Sequence, residues 1–305
     1  MMDGFEDFPR LDTTKKEQEN AFAKYVAEVV SGSSAKRKKR TGIPSGFPKL
    51  DSFINGFGEG QMIIIASRPS VGKSALAVSL AVNMAFGEMQ TPIGFFPLMT
   101  GGAALVERMV ACKACIPLMK LRKGVLSPEE NKRMMTEAID MYSLAHNVII
   151  QDSATIGLVD LCLEIRKMAN DCGVKVVFID GVGLIRNTKG GMAGHLWLSE
   201  VFLELKLLAR ELGISIICLC HLNRSGAGNR APILSDIKDS DMIIGYADIA
   251  LLVDDPSFRL EEEKPVAEMA DIRKVIVAKN SEGNIGAFTM RLNPEIGRFE
   301  EVNHE

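Results

Sequence analysis

No apolar run in this 305-residue chain approaches the roughly 20 residues needed to span a bilayer, so neither a transmembrane helix nor a membrane partner is expected. The first ten residues, MMDGFEDFPR, are acidic and lack an apolar stretch, so no export signal is expected. Positive charge is not in excess. Lys and Arg number 36 against 39 Asp and Glu, and the formal net charge is −3. That balance argues against strong, global nucleic-acid binding and leaves only a local basic groove. Six cysteines without an export signal read as reduced thiols in a cytoplasmic protein, not as a disulfide framework. A zinc site would need Cys112 and Cys115 of CKAC to meet Cys218, Cys220 and His221 of CLCH. The first pair falls in a predicted helix and the second in a predicted strand, neither in a Gly-rich knuckle, so buried thiols are the preferred reading. No internal repeat is present.

What is there is material for a sizeable core: 47% of the residues are hydrophobic, and the length allows one large domain with an appendage, or two domains. Residues 1–12 form a polar, Pro-containing tail, expected to be disordered. The stretch TKKEQENAFAKYVAEVV follows, with Thr14 and Glu17 spaced as a capping box and Phe22, Tyr25, Val26, Val29 and Val30 on one apolar stripe. A helix is predicted over about 14–30. Ser31–Arg40, SGSSAKRKKR, is a flexible basic linker. Such a lone helix must bury its stripe, either by folding back on its own domain or by docking on a neighbouring copy.

From Thr41 to Glu305 a single domain is expected, in which short β-rich runs alternate with helical stretches. The predicted strands are Met62–Ala66, Ile93–Leu98, Val148–Gln151, Val174–Asp180, Ile214–Cys220, Ile249–Val253, Ile272–Ala278 and Ala287–Leu292. The predicted helices are Lys73–Phe86, Ala103–Ala114, Pro128–Leu144, Leu158–Asp171 and Leu198–Leu212. Near-continuous apolar strands between helices predict an α/β fold with a mainly parallel sheet covered on both faces. The last two strands, joined by NSEGNIG, are predicted as an antiparallel hairpin at the sheet edge.

The run SRPSVGKS, Ser67, Arg68, Pro69, Ser70, Val71, Gly72, Lys73 and Ser74, sits between a predicted strand and a predicted helix. Gly72, Lys73 and Ser74 match the end of the phosphate-binding pattern G-x-x-x-x-G-K-[ST], with Ser67 where the first glycine is usual. Phosphate binding needs backbone N–H groups converging at a helix N-terminus, which this arrangement supplies. An ordinary strand-to-helix turn is the plain alternative. The strand VKVVFID ends in Asp180, a carboxylate suited to holding Mg²⁺ together with the Ser74 hydroxyl, although a strand-end cap is its plain alternative. Lys73 is expected at the β- and γ-phosphates of ATP.

Longer stretches carry a resemblance: TGIPSGFPKLDSFINGFGEGQMIIIASRPSVGKSALAVSLAVNMA, ERMVACKACIPLMKLRKGVLSPEE, VVFIDGVGLIR and LKLLARELGISIICLCHLNR. From about Thr41 to Phe299 the chain resembles the C-terminal motor domain of DnaB-type replicative DNA helicases. The resemblance implies a RecA-like P-loop ATPase core that assembles as a homo-oligomer, a hexameric ring around single-stranded DNA. The helix over 14–30 then falls where the family's linker helix docks on the adjacent subunit. The family's N-terminal helical, primase-contacting domain has no counterpart in this sequence, and a companion replication protein becomes a candidate partner. A RecA-like recombination or clock ATPase fits the core but not GIPSGFPKLD or the linker helix as well.

The departures from the family pattern concern hydrolysis. The catalytic glutamate of a stretch like S-L-E-M is replaced by Met99 in FFPLMTGGAAL, and Gly181 follows Asp180 where other P-loop ATPases place one. A thioether neither accepts a proton nor orients a water. The sensor glutamine is His221, which can still donate to a γ-phosphate. Of the lysine and arginine that reach a neighbour's site, Lys279 matches the first and Ser281 replaces the second. The DNA-contacting loop, R-E-S-G-x-I-E-Q-D-A-D in the family, reads KDSDMIIGYAD. Lys238, Asp239 and Ser240 retain part of it, Asp241 adds a carboxylate expected to weaken phosphate contact, and Arg224 survives. The resemblance therefore implies two readings: an ATP-driven helicase motor with weakened DNA contact, or a nucleotide-binding assembly or regulatory protein derived from one. Glu107, on the following helix, is the nearest substitute carboxylate.

Overall fold

The computed structural model describes residues 42–187, 194–223, 230–237, 240–259 and 271–302. The helix expected over 14–30 and the expected DNA contacts Arg224, Lys238 and Asp239 lie outside the described residues. One nine-stranded sheet organises the domain, in the order β3-β2-β4-β5-β1-β6-β7-β8-β9. The strands are β1 (Met62–Ser67), β2 (Ile93–Phe96), β3 (Val148–Ile150), β4 (Val176–Asp180), β5 (Ser215–His221), β6 (Ile249–Asp254), β7 (Ile272–Asn280), β8 (Gly286–Asn293) and β9 (Arg298–Glu301). The six strands from β3 to β6 pair in parallel, and β6, β7, β8 and β9 pair antiparallel.

Eight α-helices accompany the strands among the described residues: α1 (Pro48–Ile54), α2 (Lys73–Phe86), α3 (Gly102–Ala114), α4 (Leu118–Lys123), α5 (Pro128–Ser143), α6 (Leu158–Cys172), α7 (Gly194–Leu212) and α8 (Ser240–Tyr246). Every residue of β1 is buried, and successive side chains serve opposite faces. Ile63 and Ile65 pack with Leu76, Leu80, Leu105 and Met109 of α2 and α3. Met62, Ile64 and Ala66 pack with Leu161, Ile165, Phe202 and Leu205 of α6 and α7. This double burial is why the parallel strands read as continuous apolar runs rather than alternating ones. The Phe95 and Phe178 rings stack at 5.3 Å across β2 and β4.

Three expectations need correction. The hairpin of the last two predicted strands is real, but it is not the sheet edge, because β9 pairs with β8 through Leu292 and Phe299. β9 is four residues with a single buried side chain among charges, the composition of a protected edge strand, and it carries little apolar signal. Cys115, read as a buried thiol, is exposed: the helix ends at Ala114 as predicted, and Cys115 follows in the left-handed conformation that caps it. The helix predicted from Leu198 begins one turn earlier, at Gly194.

Candidate active site

β1 delivers the chain to the phosphate loop and α2 carries it away. Ser67, in the place of the usual first glycine, is still a strand residue, paired in register with His221 of β5 and Val253 of β6. Its hydroxyl donates to the Arg68 carbonyl at 2.8 Å. Ser70 (φ 64°) and Gly72 (φ 121°) both lie in left-handed backbone, which folds Pro69–Gly72 into a tight cradle. Glycine is required at 72 twice over. Beyond its φ, a Cβ there would stand 2.9 Å from Leu292 Cδ2. No side chain caps the N-terminus of α2 at Gly72, which leaves its first turn to an anion.

Lys73 and Asp180 are 7% and 4% exposed, and their charged atoms lie 3.6 Å apart. Asp180 Oδ2 accepts a hydrogen bond from Ser74 Oγ at 2.9 Å, while the buried Oδ1 accepts none from the described residues. A buried carboxylate oxygen with no hydrogen bond, beside a hydroxyl and at the foot of a phosphate cradle, fits a divalent cation that phosphate and water would complete. These residues line a cleft of about 360 Å³ together with Arg68, Pro69, Ser70, Met99 and His221. Val71 turns its side chain into the core, so only its backbone contributes to the cradle.

Met99 and Gly181, the two positions where a general base was expected and not found in the sequence, lie against each other. The Pro97 carbonyl accepts from the Thr100 and Gly101 N–H groups, and this turn holds Met99, 52% exposed, over the cleft. Gly181 has φ 106°, and a Cβ on it would lie 2.8 Å from Met99 Cγ. His221 ends β5 at the border between this cleft and a second, more apolar cavity of about 380 Å³ walled by Met99, Trp197, Phe202 and Leu219. Burial pushes the neighbouring Cys220 thiol up to about 12, with the Lys73 charge pulling the other way. That thiol therefore stays protonated and offers no base.

Other predicted residues sit elsewhere. Glu107 lies on α3 as expected but accepts from Arg122 Nε at 2.8 Å and does not line the cleft. Lys279, on β7, donates to the Ile244 carbonyl of α8 at 2.7 Å and lies outside this chain's own cleft. The Ser281 N–H and hydroxyl both donate to the Asp248 carbonyl, at 2.9 and 3.2 Å. Two contributors were missed from sequence. Arg108 of α3 lines the cleft, as does the β8–β9 turn through Pro294 and Gly297. No spacing signal ties either to the loop, because α3 and the turn reach the cleft only through tertiary packing.

Residues 42–301 match the family model described as the DnaB-like helicase C terminal domain. The replicative DNA helicase DnaB of Leifsonia xyli is 34% identical over 279 residues, 90% of this chain and 59% of that protein. The replicative DNA helicase DnaB of Geobacillus stearothermophilus is 33% identical over 262 residues, 85% of this chain and 56% of that protein. The chain thus spans a little over half the length of these relatives. A solved DnaB-like replicative helicase superposes with a TM-score of 0.81 at 24% identity, covering 92% of this chain and 66% of that one. A KaiC-like protein from Pyrococcus horikoshii does so at 0.57 and 17%, covering 83% and 95%. These likenesses establish the RecA-like ATPase fold shared with both. With the match running through the phosphate loop, the Asp180 strand and the terminal antiparallel strands, the chain belongs to the DnaB-like helicase C-terminal domain family.

Proposed function

We propose that this chain is an ATP-binding motor domain of the ring-helicase type that acts on DNA in replication, and that its own hydrolysis is slow. Support for nucleotide binding rests above all on one observation: the buried Asp180, with Oδ1 lacking a hydrogen bond, set between Ser74 Oγ and Lys73 below an open helix N-terminus. Ser74 and Asp180 hold Mg²⁺, which supplies charge neutralisation at the β- and γ-phosphates when bound. The Ser67–Ser74 backbone cradles the phosphates, Lys73 and Arg108 add positive charge, and His221 donates to the γ-phosphate. Copies of the chain assemble as a hexameric ring around single-stranded DNA, with Lys279 leaving Ile244 to reach a neighbour's site and the helix over 14–30 docking on the adjacent copy.

Slow turnover is favoured by the far side of the cleft. No carboxylate stands at Met99 or Gly181, and Glu107 is held by Arg122. In that form the chain serves as a nucleotide-binding assembly or regulatory protein beside a companion replication protein. The test is steady-state ATP hydrolysis by the full chain, with and without single-stranded DNA. Turnover below about 1 s⁻¹ under saturation, beneath the usual enzyme range, is expected. Faster turnover would reinstate the fully active motor. Removal of residues 1–32 is expected to shift the assembly towards monomer in light scattering.

A further inference from the structure

Under the phosphate loop, on the side away from the cleft, lies a charged pair that nucleotide binding does not use directly. Arg273, the second residue of β7, is 7% exposed, and Asp255, just beyond β6, is 6% exposed. Among the described residues, the guanidinium reaches three acceptors. Its Nε donates to the Val71 carbonyl at 3.0 Å, one terminal nitrogen to the Ile272 carbonyl at 2.9 Å, and the other pairs with Asp255 Oδ2 at 3.0 Å. Asp255 is itself fixed, because its Oδ1 accepts from both the N–H and the hydroxyl of Ser257, at 2.9 and 2.6 Å.

The Val71 carbonyl belongs to the peptide whose N–H is that of Gly72. In a trans peptide the C=O and N–H point in opposite directions. Gly72 lines the cleft and Val71 does not. Pinning the carbonyl from behind therefore aims the Gly72 N–H forward, at the place of a bound phosphate, and a cationic donor on the carbonyl strengthens that N–H as a donor. The loop needs such a fixture. Val71 is flanked by two left-handed residues, Ser70 and Gly72. At Ser70, which is not a glycine, such backbone persists only where its surroundings over-determine it. A buried ion pair is moreover a poor device for stability alone, since an apolar pair of similar volume commonly does as well or better.

We propose that Arg273, held by Asp255, is a positioning residue of the nucleotide site that orients the Val71–Gly72 peptide for the β-phosphate. It rests on the nucleotide-binding reading above. It also attaches the loop to β7, the strand whose far end carries Lys279.

The test measures binding of MgATP, MgADP and AMP to the full chain, with the melting temperature of the unliganded protein as control. K73A serves as the reference for the nucleotide reading. R273M/D255N removes both charges and keeps an acceptor for Ser257. It is expected to melt close to wild type, bind MgATP and MgADP about tenfold more weakly, the scale of one charge-assisted hydrogen bond, and leave AMP affinity within twofold. R273K keeps the charge but not the forked donor set. It is expected to show the same selective loss, and it carries the test alone should the double variant fail to fold. Unchanged MgATP and MgADP affinity in a folded variant would overturn the proposal, leaving a purely structural tie. So would equal weakening of all three nucleotides together with a fall in melting temperature. If wild type itself fails to bind MgATP, the nucleotide reading falls and the role of Arg273 falls with it. Wild-type binding with unaffected variants removes the role of Arg273 alone.

Discussion

The loop Ser67–Ser74 and the wall made by Met99 and Gly181 face each other across one cleft, and they are built to different ends. On the loop side the polar groups are engaged with one another: Ser74 donates to Asp180, Lys73 faces the same carboxylate, and Arg273 braces the loop from behind. On the wall side Met99 and Gly181 present a thioether and no side chain, and a Cβ at 181 would meet Met99 Cγ at 2.8 Å. Binding and hydrolysis depend on separable groups. Phosphate capture is mostly backbone and fixed charge, whereas attack on the γ-phosphate needs a base and a positioned water. One half can therefore be lost while the other stays sound.

Rebuilding the wall gives the largest expected change. M99E together with S281R should raise turnover by about 10²–10⁴-fold, the scale of a restored general base, and a coupled assay on wild type and double variant reads it directly. An unchanged rate would show that Met99 is not what limits hydrolysis. Damaging the loop comes next. K73A should weaken MgATP binding by about a hundredfold or more, as loss of a buried cation at phosphate implies, measurable by calorimetry; undiminished affinity would dissolve the contrast between the two sides. Gly181→Ala should lower stability by about 1–3 kcal/mol in chemical denaturation, through its positive φ and the contact with Met99 Cγ. The mildest change is D180N. It should leave metal-free nucleotide binding intact while reducing the gain from added Mg²⁺ by about tenfold, and a full Mg²⁺ response in that variant would move the metal site elsewhere.

The loop side was legible in the sequence and its supports were not. Gly72, Lys73, Ser74 and the Asp180 strand are recognisable because phosphate and metal chemistry demand particular residues at short, fixed spacing. Arg108 lines the cleft from α3 and Arg273 bonds the back of the loop from β7, and nothing local in the sequence distinguishes them from surface arginines. α1 (Pro48–Ile54) and α4 (Leu118–Lys123) are under two turns long, too short for a helical period to emerge. The same limit hid the restraint on Lys279: the carbonyl of Ile244 that holds it belongs to a segment 35 residues away in sequence. About hydrolysis the sequence carried only an expectation, that Met99 and Gly181 leave two usual carboxylate positions empty. The structure adds that the two positions are adjacent, and that Gly181 has a positive φ.

The position of β1 in the sheet also sets the order in which the protein can be made. Its two neighbours are β5, ending at His221, and β6, ending at Asp254. While a ribosome is still short of residue 254, the strand that leads into the phosphate loop, apolar as far as Ala66, has at least one edge of unpaired backbone groups, the kind that invites association with other chains. Arg273 emerges later still. Until β6 is made, the exposed edge of β1 lacks its native partner, and shelter of the nascent chain falls to whatever binds exposed strands. Chains interrupted before β6 are expected to be degraded or aggregated rather than to persist as small nucleotide-binding fragments.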